Sequence, residues 1–256
     1  MDIRTTQVNV DDIASIYVYD HDSQVVKPVL LLLHGAGSTK ESWLNIAKSF
    51  AEKGFFVAAF DAYGYGESPG AGMTWKDPID IFNGYRESSG YINRLIRELE
   101  RHPHADAERV GLIGFSMGAH IIYHYLAKDC ISKVKAAVPI SGSPRWDNIV
   151  RRFILTMEPF AHLAEEDVIS QYEERVASFH PLTYLRDFNA LPLFILTGEK
   201  DERMPVDDLI SFYNEVEKNY ADKEKIALKT YPGVGHRLIK EMLQDSAMWM
   251  EKFLQQ

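Results

Sequence analysis

The chain has 256 residues, 46% hydrophobic and 25% charged, with 16 Gly and 11 Pro, proportions that exclude disordered, collagenous and coiled-coil chains. A balance of 28 Lys+Arg against 37 Asp+Glu gives a net charge of -9, which repels phosphate backbones and predicts no nucleic-acid partner. The single cysteine, Cys130, excludes an internal disulfide and a thiolate-rich metal site.

Taken in order, MDIRTTQVNVDD at the start lacks a basic segment leading into an apolar one, so no signal peptide is expected. Residues 1–20 then alternate apolar and polar side chains and predict a strand pair near a sheet edge. PVLLLLH (28–34) is a continuous apolar strand running into glycines, and 42–53 predicts a helix that Gly54 stops. The apolar core of that strand, 29–33, is too short to span a bilayer, so a reduced, cytoplasmic protein with no membrane span is predicted. FFVAAF (55–60) is a second buried strand. Residues 85–101 read as a helix with Ile92, Leu95, Ile96 and Leu99 on one face. RVGLIGF (109–115) is a strand followed by a helix over 117–128. Further strands are predicted at 134–140, 191–198 and 225–232, with helices at 206–218 and 238–253.

Apolar strands alternating with helices predict an α/β fold: a mainly parallel, doubly wound sheet of about eight strands, helices on both faces. No repeat or long linker appears, so 1–256 reads as one domain. Residues 143–189 break the rhythm. They read as a small helical cap insertion over one end of the sheet, the alternative being two ordinary helices on the sheet face.

Gly114-Phe115-Ser116-Met117-Gly118 carries the strongest chemical signal. A G-x-S-x-G between a strand and a helix is the context of a nucleophile elbow, where a strained serine projects its hydroxyl above the sheet. That hydroxyl is a weak nucleophile until a base removes its proton. Among nine histidines, His236 in Gly233-Val234-Gly235-His236 follows a late strand, at the edge where sites in open α/β sheets form. A carboxylate must hold the imidazole in one tautomer. Asp201 follows the 191–198 strand and is the candidate, with Glu199, Glu202 and Asp207 as neighbours able to compete. Two backbone N–H groups, of Met117 and of Ala36 in His34-Gly35-Ala36-Gly37, are positioned by sequence as an oxyanion hole. His34 reads as a residue bracing that loop. His120 and His124 stand four apart on one helix, a spacing that a metal pair also uses. No third ligand is evident nearby, so a core-facing or half-buried helix pair is the reading, with no metal and no cofactor. His21, His102, His104, His162 and His180 are read as surface or loop residues.

With Asp61-Ala62-Tyr63-Gly64-Tyr65-Gly66-Glu67-Ser68, a D-x-x-G-x-G-x-S loop, these pieces resemble the α/β-hydrolase superfamily from about residue 28 to the end. Within it the chain is similar to small serine esterases of the dienelactone hydrolase and prolyl oligopeptidase-like branch. The resemblance implies a serine hydrolase, most simply a carboxylesterase, acting on small-molecule esters with small or medium acyl groups. Ser116, His236 and Asp201 would be its triad. A serine where haloalkane dehalogenases and epoxide hydrolases need aspartate argues against those chemistries. A peptidase or amidase on small peptides, and a non-catalytic ligand-binding protein, are the alternatives. Trp146, Phe153, Met157, Phe160, Tyr172 and Phe179 in the insertion either pack it down or line an acyl pocket. Arg145, Arg151 and Arg152 either face solvent or meet a substrate carboxylate.

Overall fold

A computed structural model describes residues 1–183 and 191–255. Eight strands form one sheet: β1 (Ile3–Val10), β2 (Ile13–Asp20), β3 (Lys27–Leu33), β4 (Phe56–Phe60), β5 (Ala105–Phe115), β6 (Val134–Ile140), β7 (Leu193–Gly198) and β8 (Ile226–Tyr231). Their order is β1-β2-β4-β3-β5-β6-β7-β8. β1 and β2 pair antiparallel, β2 pairs antiparallel with β4, and every pairing from β4 to β8 is parallel.

The helices are α1 (Leu44–Ala51), α2 (Pro78–Leu99), α3 (Met117–Lys128), α4 (Trp146–Thr156), α5 (Glu166–Ala177), α6 (Val206–Val216) and α7 (Lys240–Leu254). Period-two alternation sends Val29, Leu31 and Leu33 of β3 to one face, where α2 and α3 pack, and Leu30 and Leu32 to the other, under α1 and α7. Both faces are therefore apolar, which is why the central strands read as unbroken hydrophobic runs. No helix among the described residues is long and apolar enough to cross a membrane.

Two boundaries differ from the sequence reading by more than two residues. α2 begins at Pro78, not 85, because Asp77 caps it: its carboxylate accepts from Ile79 N at 2.8 Å, and proline occupies the first turn. Gly84, in the second turn of α2, weakens the helical signal. It is glycine because Trp75 lies over it, with Cη2 at 2.9 Å from where a Cβ would stand. β5 begins at Ala105 and continues through an irregularity opposite Pro28 and Val29. Between β6 and β7 run α4, a 3₁₀ segment (Glu158–Leu163) and α5. Trp146 packs against Phe82 and Tyr85 of α2, with ring centroids 5.1 and 5.8 Å apart, so these helices lie on α2 rather than on the strands. Residues 184–189 of the expected insertion lie outside the described residues.

Candidate active site

Four loops that follow β3, β5, β7 and β8 meet at the C-terminal edge of the parallel sheet. Ser116 sits between β5 and α3 with φ 53° and ψ -111°, a left-handed conformation that is strained for a side-chain-bearing residue. Packing enforces it. The Ser116 amide donates to Ile140 O at 2.8 Å, and Ser116 O accepts from Ala119 N and His120 N. A Cβ on Gly118 would overlap the Leu33 carbonyl, and one on Gly114 would stand 2.6 Å from the Gly118 carbonyl. The two glycines of the motif are therefore required by the close approach of α3 to β3 and β5.

The loops after β7 and β8 are laced together by Glu199 N to Tyr231 O at 3.1 Å and Lys200 N to Val234 O at 2.9 Å. That lacing brings Asp201 under His236. His236 Nδ1 lies 2.9 and 3.0 Å from the two Asp201 oxygens, and its Nε2 lies 2.8 Å from Ser116 Oγ. An ionised carboxylate only accepts, so Nδ1 carries the proton and Nε2 offers its lone pair to the serine hydroxyl. The Asp201 side chain is buried and Oδ1 also accepts from Arg203 N (3.0 Å) and Met204 N (2.9 Å). Among the described residues none of the competing carboxylates bonds His236: Glu199 is exposed and bonds Thr230, Glu202 is exposed at the cavity rim, and Asp207 is exposed in the first turn of α6.

Ala36 and Met117 line the same cavity as Ser116 and His236, a space of about 540 Å³. Met117 is the first residue of α3, so its N–H has no carbonyl partner within the helix. His34 is buried beneath the loop. Its Nε2 accepts from Ala62 N at 3.1 Å, which leaves Nδ1–H to donate to Gly35 O at 2.9 Å. Burial holds its pKa below the usual histidine value. It braces the loop, as the sequence reading has it.

The insertion residues divide. Trp146 and Phe160 are fully buried in the core, whereas Phe153 and Met157 face the cavity. Arg151 is held by Glu166 and Glu173 and Arg145 by Asp147, while Arg152 reaches the cavity rim and donates to Glu202 O at 2.9 Å. His102 and His104 are not simple surface residues, because they pack with Tyr19, His102 also meeting Phe56.

Sequence reasoning missed the cavity wall made by Tyr65, Trp75, Tyr85 and His120. The only available signal was the four-residue spacing of His120 from Ser116. It also missed Lys40, buried against Asp61, because an isolated lysine in a sequence reads as solvent-exposed.

A family model described as the alpha/beta hydrolase fold matches residues 28–169. "Putative esterase YitV" of Bacillus subtilis is 26% identical over 243 residues, covering 89% of each chain. Dipeptidyl-peptidase 5 of Porphyromonas gingivalis is 22% identical over 86% of this chain, but over only 32% of its own length. Among solved structures, a "Putative Dienelactone Hydrolase" from Klebsiella pneumoniae superposes over all of both chains with a TM-score of 0.70 at 16% identity, a likeness of fold.

Proposed function

The chain belongs to the α/β-hydrolase fold family, and from that premise we propose that it is a serine hydrolase cleaving carboxylic esters of small or medium acyl groups. One observation carries the reading: Ser116 Oγ, His236 Nε2 and the buried Asp201 carboxylate form an unbroken hydrogen-bonded series facing a cavity. The similarity to an esterase along nearly the whole chain supports it.

In the proposed mechanism Ser116 Oγ attacks the ester carbonyl as His236 Nε2 takes its proton. Asp201 keeps the other ring proton on Nδ1 and stabilises the imidazolium. The N–H groups of Ala36 and Met117 hold the tetrahedral oxyanion. His236 then gives its proton to the departing alcohol, leaving Ser116 acylated. Water, deprotonated by the same imidazole, cleaves the acyl-enzyme and restores the serine.

The described part of the expected insertion, 143–183, acts in this proposal as a cap. Phe153 and Met157 bound an acyl site sized for short chains. The test is Ser116→Ala beside wild type on p-nitrophenyl acetate, with fluorophosphonate labelling of both. A loss of at least roughly a thousandfold with abolished labelling is expected. Retention of most activity in the variant removes Ser116 as nucleophile. A series of acyl lengths with best turnover above about ten carbons contradicts the short-chain assignment.

The peptidase similarity favours a second reading, cleavage of amides by the same groups. A panel of aminoacyl amides against matched esters separates the two.

A further inference from the structure

His120 follows Ser116 by one helical turn, and its backbone N–H donates to Ser116 O at 3.1 Å. Side chains on a helix lean toward its N-terminus, so the imidazole is carried back over the turn that bears the serine. The ring is 1% exposed and forms part of the cavity wall. Its orientation is fixed twice. Nδ1 lies 2.7 Å from Ser143 O, and the ring stacks on Tyr85 with centroids 5.4 Å apart and planes within 4°.

Because a carbonyl only accepts, Nδ1 must be the protonated nitrogen, and Nε2 is left as a bare acceptor. No described residue donates to it. Burial, aided by proximity to His236 and outweighing the bond to Ser143, lowers the pKa of the ring to about 4, so the imidazole is neutral at ordinary pH. Ile81, Met117, Phe153 and Met157 of the same wall are apolar, and the polar side chains that also line the cavity, Tyr65, Trp75, Thr156, Arg152 and Arg203, make no hydrogen bond to Nε2. A buried acceptor in such a wall is unfavourable unless something donates to it. Met117 and Met157 are unbranched and yield readily to a guest.

We propose that His120 Nε2 accepts a hydrogen bond from a hydroxyl on the acyl part of the substrate, so that the site selects hydroxyacyl esters over plain acyl esters. This rests on the serine-hydrolase reading above. Because the ring leans back over the turn that bears Ser116, a donor meeting it lies close to the carbonyl under attack, on the second or third carbon of the acyl chain. His120 takes no part in bond-making. It is a specificity determinant.

The experiment compares kcat/KM for p-nitrophenyl 3-hydroxybutyrate and p-nitrophenyl butyrate in wild type, His120→Asn, His120→Phe and His120→Gln. Wild type is expected to favour the hydroxy ester by about tenfold. His120→Asn keeps a donor for Ser143 O but has nothing at the Nε2 position. His120→Phe keeps the stack on Tyr85. In both the preference is expected to fall to near unity, and His120→Gln, whose Oε1 reaches the Nε2 position, is expected to restore part of it. The wild-type ratio stands independently of whether any variant folds. Turnover of both esters with no preference in wild type, or a preference unchanged in Asn and Phe variants, overturns the inference and leaves the hydrolase reading intact. Turnover of neither ester overturns both.

Discussion

Lys40 Nζ and Asp61 Oδ2 form an ion pair at 2.8 Å with side chains 1% and 0% exposed. Asp61 also accepts from the backbone N–H of Lys40 at 2.7 Å and of Glu67 at 2.9 Å. One carboxylate thereby ties the loop after β3, which carries Ala36, to the loop after β4. Burial opposes the lysine charge, but hydrogen bonds with Asp61, Glu41 and Glu67 more than offset it and raise its pKa. Asp61→Ala removes the one fully buried partner of Lys40, leaving it Glu41 and Glu67, and strands two N–H groups, and is expected to destabilise the fold by about 3 kcal/mol. That lowers Tm by roughly 6–12 °C for a chain of this size. Glu67→Gln, at a side chain 75% exposed, is expected to lose less than about 1 kcal/mol. Equal thermal shifts in the two variants would show that Asp61 has no special role.

Gly118 and Gly90 are both helical glycines with opposite surroundings. A Cβ at Gly118 would overlap the Leu33 carbonyl, whereas one at Gly90 in α2 meets nothing within 4 Å. Gly118→Ala is expected to destabilise by about 3 kcal/mol and to displace Ser116 with it. Gly90→Ala is expected to stabilise by about 0.5–1 kcal/mol through lost unfolded-state freedom. Denaturant melts of the pair check both signs.

Asp201→Asn tests the tautomer argument. The two backbone donors on Oδ1, Arg203 N and Met204 N, would hold the amide oxygen there and turn the NH2 toward His236 Nδ1. Nδ1 would then have to accept, the proton would move to Nε2, and the serine would lose its base. A fall in kcat of about ten-thousandfold is expected, with Tm little changed. A fall below tenfold would mean that Asp201 does not set the tautomer.

Acid stability should report His120 and His124. Burial, the larger cause in each, lowers both to about 4, and His124 stacks on Trp146 at 5.5 Å with no described donor or acceptor on Nδ1. The unfolded chain takes up protons below the ordinary histidine value of about 6.5 while the folded one does not, so stability is full above that pH and declines as pH falls toward about 4. His124→Phe keeps the stack and removes one such group. Its Tm should therefore fall less than that of wild type between pH 7 and pH 5. Asp129 Oδ2, 3.8 Å from His124 Nδ1, favours the protonated ring and burial outweighs it, so parallel Tm curves for the two proteins would contradict the assignment.

The sequence by itself determined the layers of this protein. Unbroken apolar runs such as 29–33 and 56–60 require a sheet covered on both faces, and the glycines around Ser116 announce a turn too tight for side chains. It also brought forward the residues of the proposed triad, because loops following parallel strands all emerge at one edge. The sequence already put Asp201 ahead of Glu199, Glu202 and Asp207. Only the tertiary structure shows its burial beneath His236, which is a property of two loops laced together and not of either alone. It alone separated Phe153 and Met157 from Trp146 and Phe160, sank Lys40 beside Asp61, and left His120 Nε2 without a hydrogen-bond partner among the described residues. The reason is range: periodicity and turn chemistry act over a few neighbouring residues, whereas the partner of a polar atom is set by whatever distant segment the packing delivers.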